Sequence, residues 1–265
     1  MRKLTIDDKE FSIAENFNEL TKEQFINYIK NYYEVLPRFF HVVEDAIEII
    51  SNDTYNALMY AQLINILQID AETFEKFSAE DVVFLIDEMK VIEFLQEDST
   101  LTINHFQKIK KHLVGCESDF GDLSAEEYLW AEKFYIEYKE TADISKLNAL
   151  VACLNKTVNK KKEILPFEVK RISVIEKQIE DVELYQKIGI LLFFEGSRNE
   201  LPELYPEMYS GKKTSDSDFK EVLLQVAKDG PFGDFEKVLK TNIHLVFSEL
   251  NRVSKEAIEF ERKNK

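Results

Sequence analysis

A chain of 265 residues that is 45% hydrophobic and 12% aromatic can bury a large core, and its aromatic share argues against a natively disordered protein. With only 7 glycines and 5 prolines it favours long helices over a many-turned β fold. The net charge of −16 is uneven: residues 1–100 hold 21 Asp and Glu against 8 Lys and Arg, a balance of −13, which disfavours DNA or RNA binding because that draws on cationic contacts.

In chain order, "KLTIDDKEFSI" sets Leu4 and Ile6 against Phe11 and Ile13 around a polar turn, the pattern of a short β-hairpin. Thr21 and Gln24 have capping-box spacing, and Phe25, Tyr28, Ile29 and Tyr32 follow at helical spacing, predicting a helix over 22–35. Pro37 ends that helix or starts the next, "PRFFHVVEDAIEIIS", and "DTYNALMYAQLINILQI" reads as a third, apolar nearly all round. Residues 82–106 mix β-branched residues with helix formers and suggest a second small hairpin. The stretch "LVGCESDFGD" reads as the clearest break. It divides an acidic N-terminal helical subdomain, 1–118, from a C-terminal helical subdomain, 119–265, unless the whole is one domain.

Ser124 and Glu127 form a second capping box ahead of "AEEYLWAEKFYIEY", predicting a helix over about 125–140. "DISKLNALVACLNKTV" is a helix capped by Asp143, "VNKKKEILPFE" a basic exposed connection, and the segment from Glu168 to Arg198 one or two helices. "NELPELYPEMYSGKKTSDSD" reads as the longest irregular segment. A helix "DFKEVLLQVAKDG", a turn "GPFG" and a long C-terminal helix close the chain. The fold class expected is mainly α, a multi-helix bundle with a short N-terminal β-hairpin.

Chemistry is sparse. His41, His105, His112 and His244 form no HxxxH or HExxH, the spacing that presents two imidazoles on one helix face. His105, His112 and Cys116 could share a face, but surface or partly buried histidines are the commoner case, and no metal is expected. Cys116 and Cys153, without CxxC spacing, read as reduced thiols. There is no GxSxG, GxxxxGK[ST] or GxGxxG, so neither a catalytic residue nor a cofactor is expected. The start lacks the apolar run of a signal peptide, and "YQKIGILLFFEG" falls short of the roughly 20 residues of a membrane span, so a soluble intracellular protein with no membrane partner is expected.

Glu126, Glu127, Glu132 and Glu137 invite a reading as paired catalytic carboxylates. On a helix, however, Tyr128, Ala131, Tyr135 and Tyr138 form one stripe with Trp130 and Phe134 beside it, Glu127 is taken up by the cap, and the other glutamates fall mostly on the wet side. Tyr128, Trp130, Phe134, Tyr135, Leu191, Phe193, Phe194, Leu204 and Tyr205 are therefore candidates either for core anchors or for a groove that takes a partner helix.

Several blocks together carry a resemblance: the hairpin "LTIDDKEFSI", the helix start "NELTKEQFINYI", the central "FGDLSAEEYLWAEKFYIEYKETADISKLNALVACL", then "LPFE", "ILLFFEGSRNELPELYPEMY" and "GPFGDFEKVLKTNIHLVFSEL". In that order they resemble bacteriophage and prophage tail assembly chaperones and related tail-accessory proteins. Asn155 and Lys156 stand where an aromatic and a basic residue would be expected. The resemblance implies a non-enzymatic protein of the host cytoplasm that binds the helical tape-measure protein, or another tail protein, during tail morphogenesis. A structural virion protein of the tail or connector is the alternative, and an acidic DNA-mimic inhibitor a further one.

Overall fold

The first residues pair as the alternation dictates. Strand β1 (Arg2–Ile6) and strand β2 (Lys9–Ile13) are antiparallel with Leu4 opposite Phe11, and Ile13 enters the core fully buried. The computed structural model describes residues 2–6, 9–35, 42–43, 46–47, 61–62, 64–69, 71–74, 76–78, 80–81, 84, 95, 98–210, 219–229 and 231–263. Helix α1 (Lys22–Ile29) starts on the predicted capping box: Thr21 Oγ1 accepts from the Gln24 N–H at 3.2 Å, and Gln24 Oε1 accepts from the Thr21 N–H at 2.8 Å. The Gln24 amide then donates to the Ile66 carbonyl at 2.5 Å, so one buried side chain both caps α1 and ties it to the helical residues 64–67. A π-helical turn, Lys30–Val35, continues α1.

Two expectations for the N-terminal part are corrected. Within the predicted helix after Pro37, the described residues Val42–Val43 (β3) and Ala46–Ile47 (β4) pair antiparallel, a conformation that suits the β-branched Val42, Val43 and Ile47; the remainder lies outside the described residues. Of the hairpin near 82–106, the first arm lies outside the described residues apart from Phe84 and Leu95, and 98–106 contains no strand. Side chains replace the ladder there. Asn18 donates to the Thr100 carbonyl at 3.1 Å and accepts from the Thr102 N–H at 2.8 Å, while Asn104 accepts from the Phe106 N–H at 2.9 Å and donates to the Cys116 carbonyl at 2.7 Å. With its polar groups met locally the segment has no use for a strand partner. The pairing formed instead joins β5 (Leu113–Gly115) to β6 (Asn155–Thr157), and Leu113, Cys116 and Phe120 are fully buried, so residues on both sides of position 118 share one buried cluster.

The chain is mainly α-helical. After the short α2 (Ala71–Phe74) come α3 (Ala125–Thr141) and α4 (Ile144–Cys153), an antiparallel helical pair turned at Ala142, which adopts the left-handed conformation with φ 52°. Asp143 Oδ1 caps α4 by accepting from the Ser145 N–H at 2.8 Å. Helices α5 (Ile172–Gln178) and α6 (Leu184–Leu204) follow, and every residue of α6 from Lys187 to Ser197 is buried, which makes α6 the central post. The segment predicted to be irregular is helical over most of its described part. Helix α6 passes Pro202 in its last turn, and α7 (Pro206–Tyr209) begins on Asn251 Oδ1, which accepts from the Glu207 and Met208 N–H groups at 2.8 and 3.0 Å. Residues 211–218 lie outside the description.

Helix α8 (Phe219–Asp229) leads to the C-terminal helix, which is two helices: α9 (Phe235–Lys240) and α10 (Ile243–Lys263). The break has a cause. Thr241 and Asn242 run extended beside 123–125, where the Thr241 carbonyl accepts from the Ala125 N–H and the Leu123 carbonyl from the Ile243 N–H, both at 2.9 Å. That crossing fastens the start of α10 to the start of α3.

Candidate functional site

The site is built from the head of α3 downward. Ser124 Oγ accepts from the Glu127 N–H at 3.3 Å, and Glu127 Oε2 accepts from the Ser124 N–H and hydroxyl at 2.8 and 2.7 Å. With the helix phase so set, Tyr128 and Tyr135 turn inward at 4% and 7% exposure. Leu191, Phe193 and Phe194 of α6 are buried opposite them, with the Phe194 ring 5.9 Å from Tyr128 and 5.5 Å from Tyr135. Phe120, Phe219 and Phe247 complete the aromatic cluster around Tyr128. These five candidates are core.

The other four reach the surface in two places. Trp130 and Phe134 are half-buried, their rings 6.0 Å apart, with the Lys133 and Lys146 ammonium groups 5.0 and 6.0 Å from the respective ring centres. Tyr205 is half-buried against Phe247 and accepts or donates at His244 Nδ1 across 2.6 Å, and Leu204 beside it is 48% exposed.

The glutamates of α3 are less solvated than their expected wet face. Glu132 lies four residues after Tyr128 and three before Tyr135, on the inward stripe itself, and both of its oxygens accept from Arg198 Nε at 2.9 Å. One turn on, buried Glu195 accepts from the Tyr135 hydroxyl at 2.6 Å and from Lys139 Nζ at 2.8 Å. Burial pushes Glu132 above the ordinary carboxylate range against the pull of Arg198, and burial with the Glu195 bond pushes the Tyr135 hydroxyl upward. The two pairs brace α3 against α6. Sequence reasoning passed over Glu195 and Arg198, and the signal for Glu132 was its i+4 relation to Tyr128.

A second feature missed in the sequence is on α10. Ile243, Val246, Leu250, Val253, Ala257 and Phe260 alternate spacings of three and four, the a and d pattern of a helix that packs against another helix. The first part of this seam closes the core, with Ile243 and Val246 fully buried and Leu250 half-buried. Beyond Asn251 the same seam emerges, and Val253 is 47% exposed and Ala257 exposed. Arg252 bonds both Glu249, at 2.7 Å, and Glu256, which supports the helical form of this stretch.

His105 packs against the Phe25 ring and burial lowers its pKa, His112 Nε2 meets Gln178 Oε1 at 2.9 Å, and Cys116 and Cys153 are buried free thiols. Among the described residues no group of three or more His, Cys, Asp or Glu is placed to hold a metal ion, and no helix is long and apolar enough to cross a membrane. The fold and surface define a mainly helical protein with an apolar helix seam that leaves its core. No protein-family model, curated protein or solved structure matches the chain.

Proposed function

We propose that the chain is a non-enzymatic phage tail assembly factor that binds a helical segment of the tape-measure protein in the host cytoplasm and keeps it soluble until tube subunits assemble round it. The observation that carries this reading is the emergent half of the α10 seam. A helical partner with matching a and d residues can cover Val253 and Ala257 as the body covers Ile243 and Val246. The order of the sequence blocks supports the same role, and the acidic charge of −16 supports solubility for a complex with an aggregation-prone partner.

Co-expression with the tape-measure protein encoded nearby tests it. The partner should move to the soluble fraction and co-purify, and finished particles should lack the factor by mass spectrometry. Val253→Glu, at an exposed seam position, should leave the melting temperature within about 2 °C of the parent and abolish co-purification. Co-purification undiminished by this variant removes the seam from the mechanism, and no co-purification with any tail protein removes the function.

A further inference from the structure

At one end of the β5–β6 pairing two tight turns lie side by side. The first joins Lys110 to Leu113, which bridge each other, and the second joins Val158 to Ile164, which do the same. The Gly115 N–H donates to the Gln107 carbonyl at 2.8 Å and the Leu165 N–H to the Thr157 carbonyl at 2.9 Å, so 107–110, β5, β6 and 163–165 run antiparallel in that order. Leu113 pairs with Thr157, and the Val158 N–H donates to the His112 carbonyl at 2.9 Å, so both turns leave at the same end. With neighbouring strands about 4.8 Å apart, the two tips stand about 10 Å from each other.

Residues 108–112 and 159–163 hold six lysines and one acid, in a chain of net charge −16. Lys110 is taken by Asp181 at 2.6 Å, whereas Lys108, Lys111, Lys160, Lys161 and Lys162 are exposed and form no ion pair among the described residues. The one acid is turned away from them, because Glu163 Oε2 accepts from Asn159 Nδ2 at 2.8 Å. Asn159 also fixes the second tip. Its Oδ1 accepts from the Lys161 and Glu163 N–H groups at 2.8 and 3.0 Å, and its carbonyl accepts from the Lys162 N–H at 3.0 Å. Lys162 has φ 65°, the left-handed conformation that glycine usually supplies in a turn of this kind. Backbone strain and like-charge repulsion are thus both accepted where three consecutive lysines are displayed, which folding alone does not favour.

The surroundings select the anion. Neither turn holds an arginine to fork onto phosphate or an exposed aromatic ring to stack a base. Asp181 borders the first turn, with exposed Glu180 and Glu183 beside it in the chain, so a polyanion or an anionic lipid sheet that continues past the tips meets carboxylates. Ile164, 53% exposed at the foot of the second turn, is a single apolar contact and falls short of a membrane anchor. A ligand confined to the tips escapes these penalties, and three or four residues of extended chain span the roughly 10 Å between them. We propose that the paired turns receive a short acidic segment of a partner protein, its carboxylates on the lysines of both tips. This surface is separate from the α10 seam and does not depend on the tape-measure reading.

The isotope-labelled full chain is titrated with acetyl-hexaglutamate amide in about 50 mM salt and read by amide chemical shifts. Saturable shifts should centre on 108–112 and 159–165, with a dissociation constant of about 0.1–1 mM that weakens several-fold in about 300 mM salt. Hexathymidylate, of similar charge, and phosphatidylserine vesicles should bind these residues more weakly. Lys160→Gln with Lys161→Gln should weaken the peptide by about tenfold. Asn159→Ala, which changes no charge but frees the tip, should weaken it by about threefold. Lys162→Gly should melt above the parent yet also bind about threefold more weakly. Shifts that are absent or spread over lysines elsewhere would overturn the proposal. So would tighter binding of the oligonucleotide or the vesicles, or peptide binding undiminished in any of these variants.

Discussion

Gly196→Ala should destabilise this protein although it places a better helix former in the middle of α6. By helix propensity alone the change is favourable by about 0.5–1 kcal/mol, since glycine surrenders more backbone freedom than alanine. At this position α6 lies against the backbone of Leu101, itself fully buried. A Cβ on residue 196 would stand 2.7 Å from the Leu101 carbonyl carbon and closer still to its amide nitrogen and carbonyl oxygen. Backbone cannot rotate out of the way as a side-chain end can. Segment 99–102 is moreover pinned by Asn18 and by Asn199, whose amide donates to the Ser99 carbonyl at 3.2 Å. Overpacking of this kind costs about 1–3 kcal/mol or more and outweighs the propensity gain, for a net loss of about 1–2 kcal/mol. In a chain of this length that is a fall in melting temperature of roughly 2–8 °C, measured by thermal melts followed by far-ultraviolet circular dichroism. Gly121→Ala is the control: its nearest new neighbour is the exposed Glu117 carboxylate at 3.1 Å, which can move, and the melt should shift little. A Gly196→Ala variant that melts at or above the parent would show that α6 does not lie on Leu101 as described.

Two further outcomes are expected. Asn18→Ala removes both bonds that bracket 100–102 and should cost about 1–3 kcal/mol in urea unfolding, and a midpoint equal to the parent's would mean that the bracket is not formed. Glu127 tests the pH dependence: burial raises its pKa above the ordinary 4.5, against the pull of Lys156. Its folded form therefore holds a proton that the unfolded chain has released. That contribution is complete below the unfolded value and is lost as pH rises through the folded one, so stability falls from about pH 4.5 upward on this account. Glu127→Gln keeps an acceptor for Ser124 and removes the titration. Its unfolding midpoint should vary less between pH 5 and 7 than the parent's, whereas an identical dependence would rule out a buried, titrating Glu127.

The elements readable in the sequence were those whose instructions are local. The two capping boxes, Thr21 with Gln24 and Ser124 with Glu127, mark helix starts because a cap is a contact between residues three apart. The hairpin 2–13 follows from alternation and a turn, and the inward set of Tyr128 and Tyr135 from helical phase. The seam on α10 was equally local, written in the spacing from Ile243 to Phe260, and is significant only because half of it leaves the body. Tertiary structure alone decided what depends on partners far along the chain. Asn18 holds 100–102 out of a strand from more than eighty residues away, and Thr241 and Asn242 break a continuous helical pattern because they lie beside 123–125. Glu132 became a half-buried ion pair because Arg198 of another helix faces it, and Asn155 is left with an unmet oxygen because Val151 takes only its amide nitrogen. Helical phase says which way a side chain points, and the fold says what stands there.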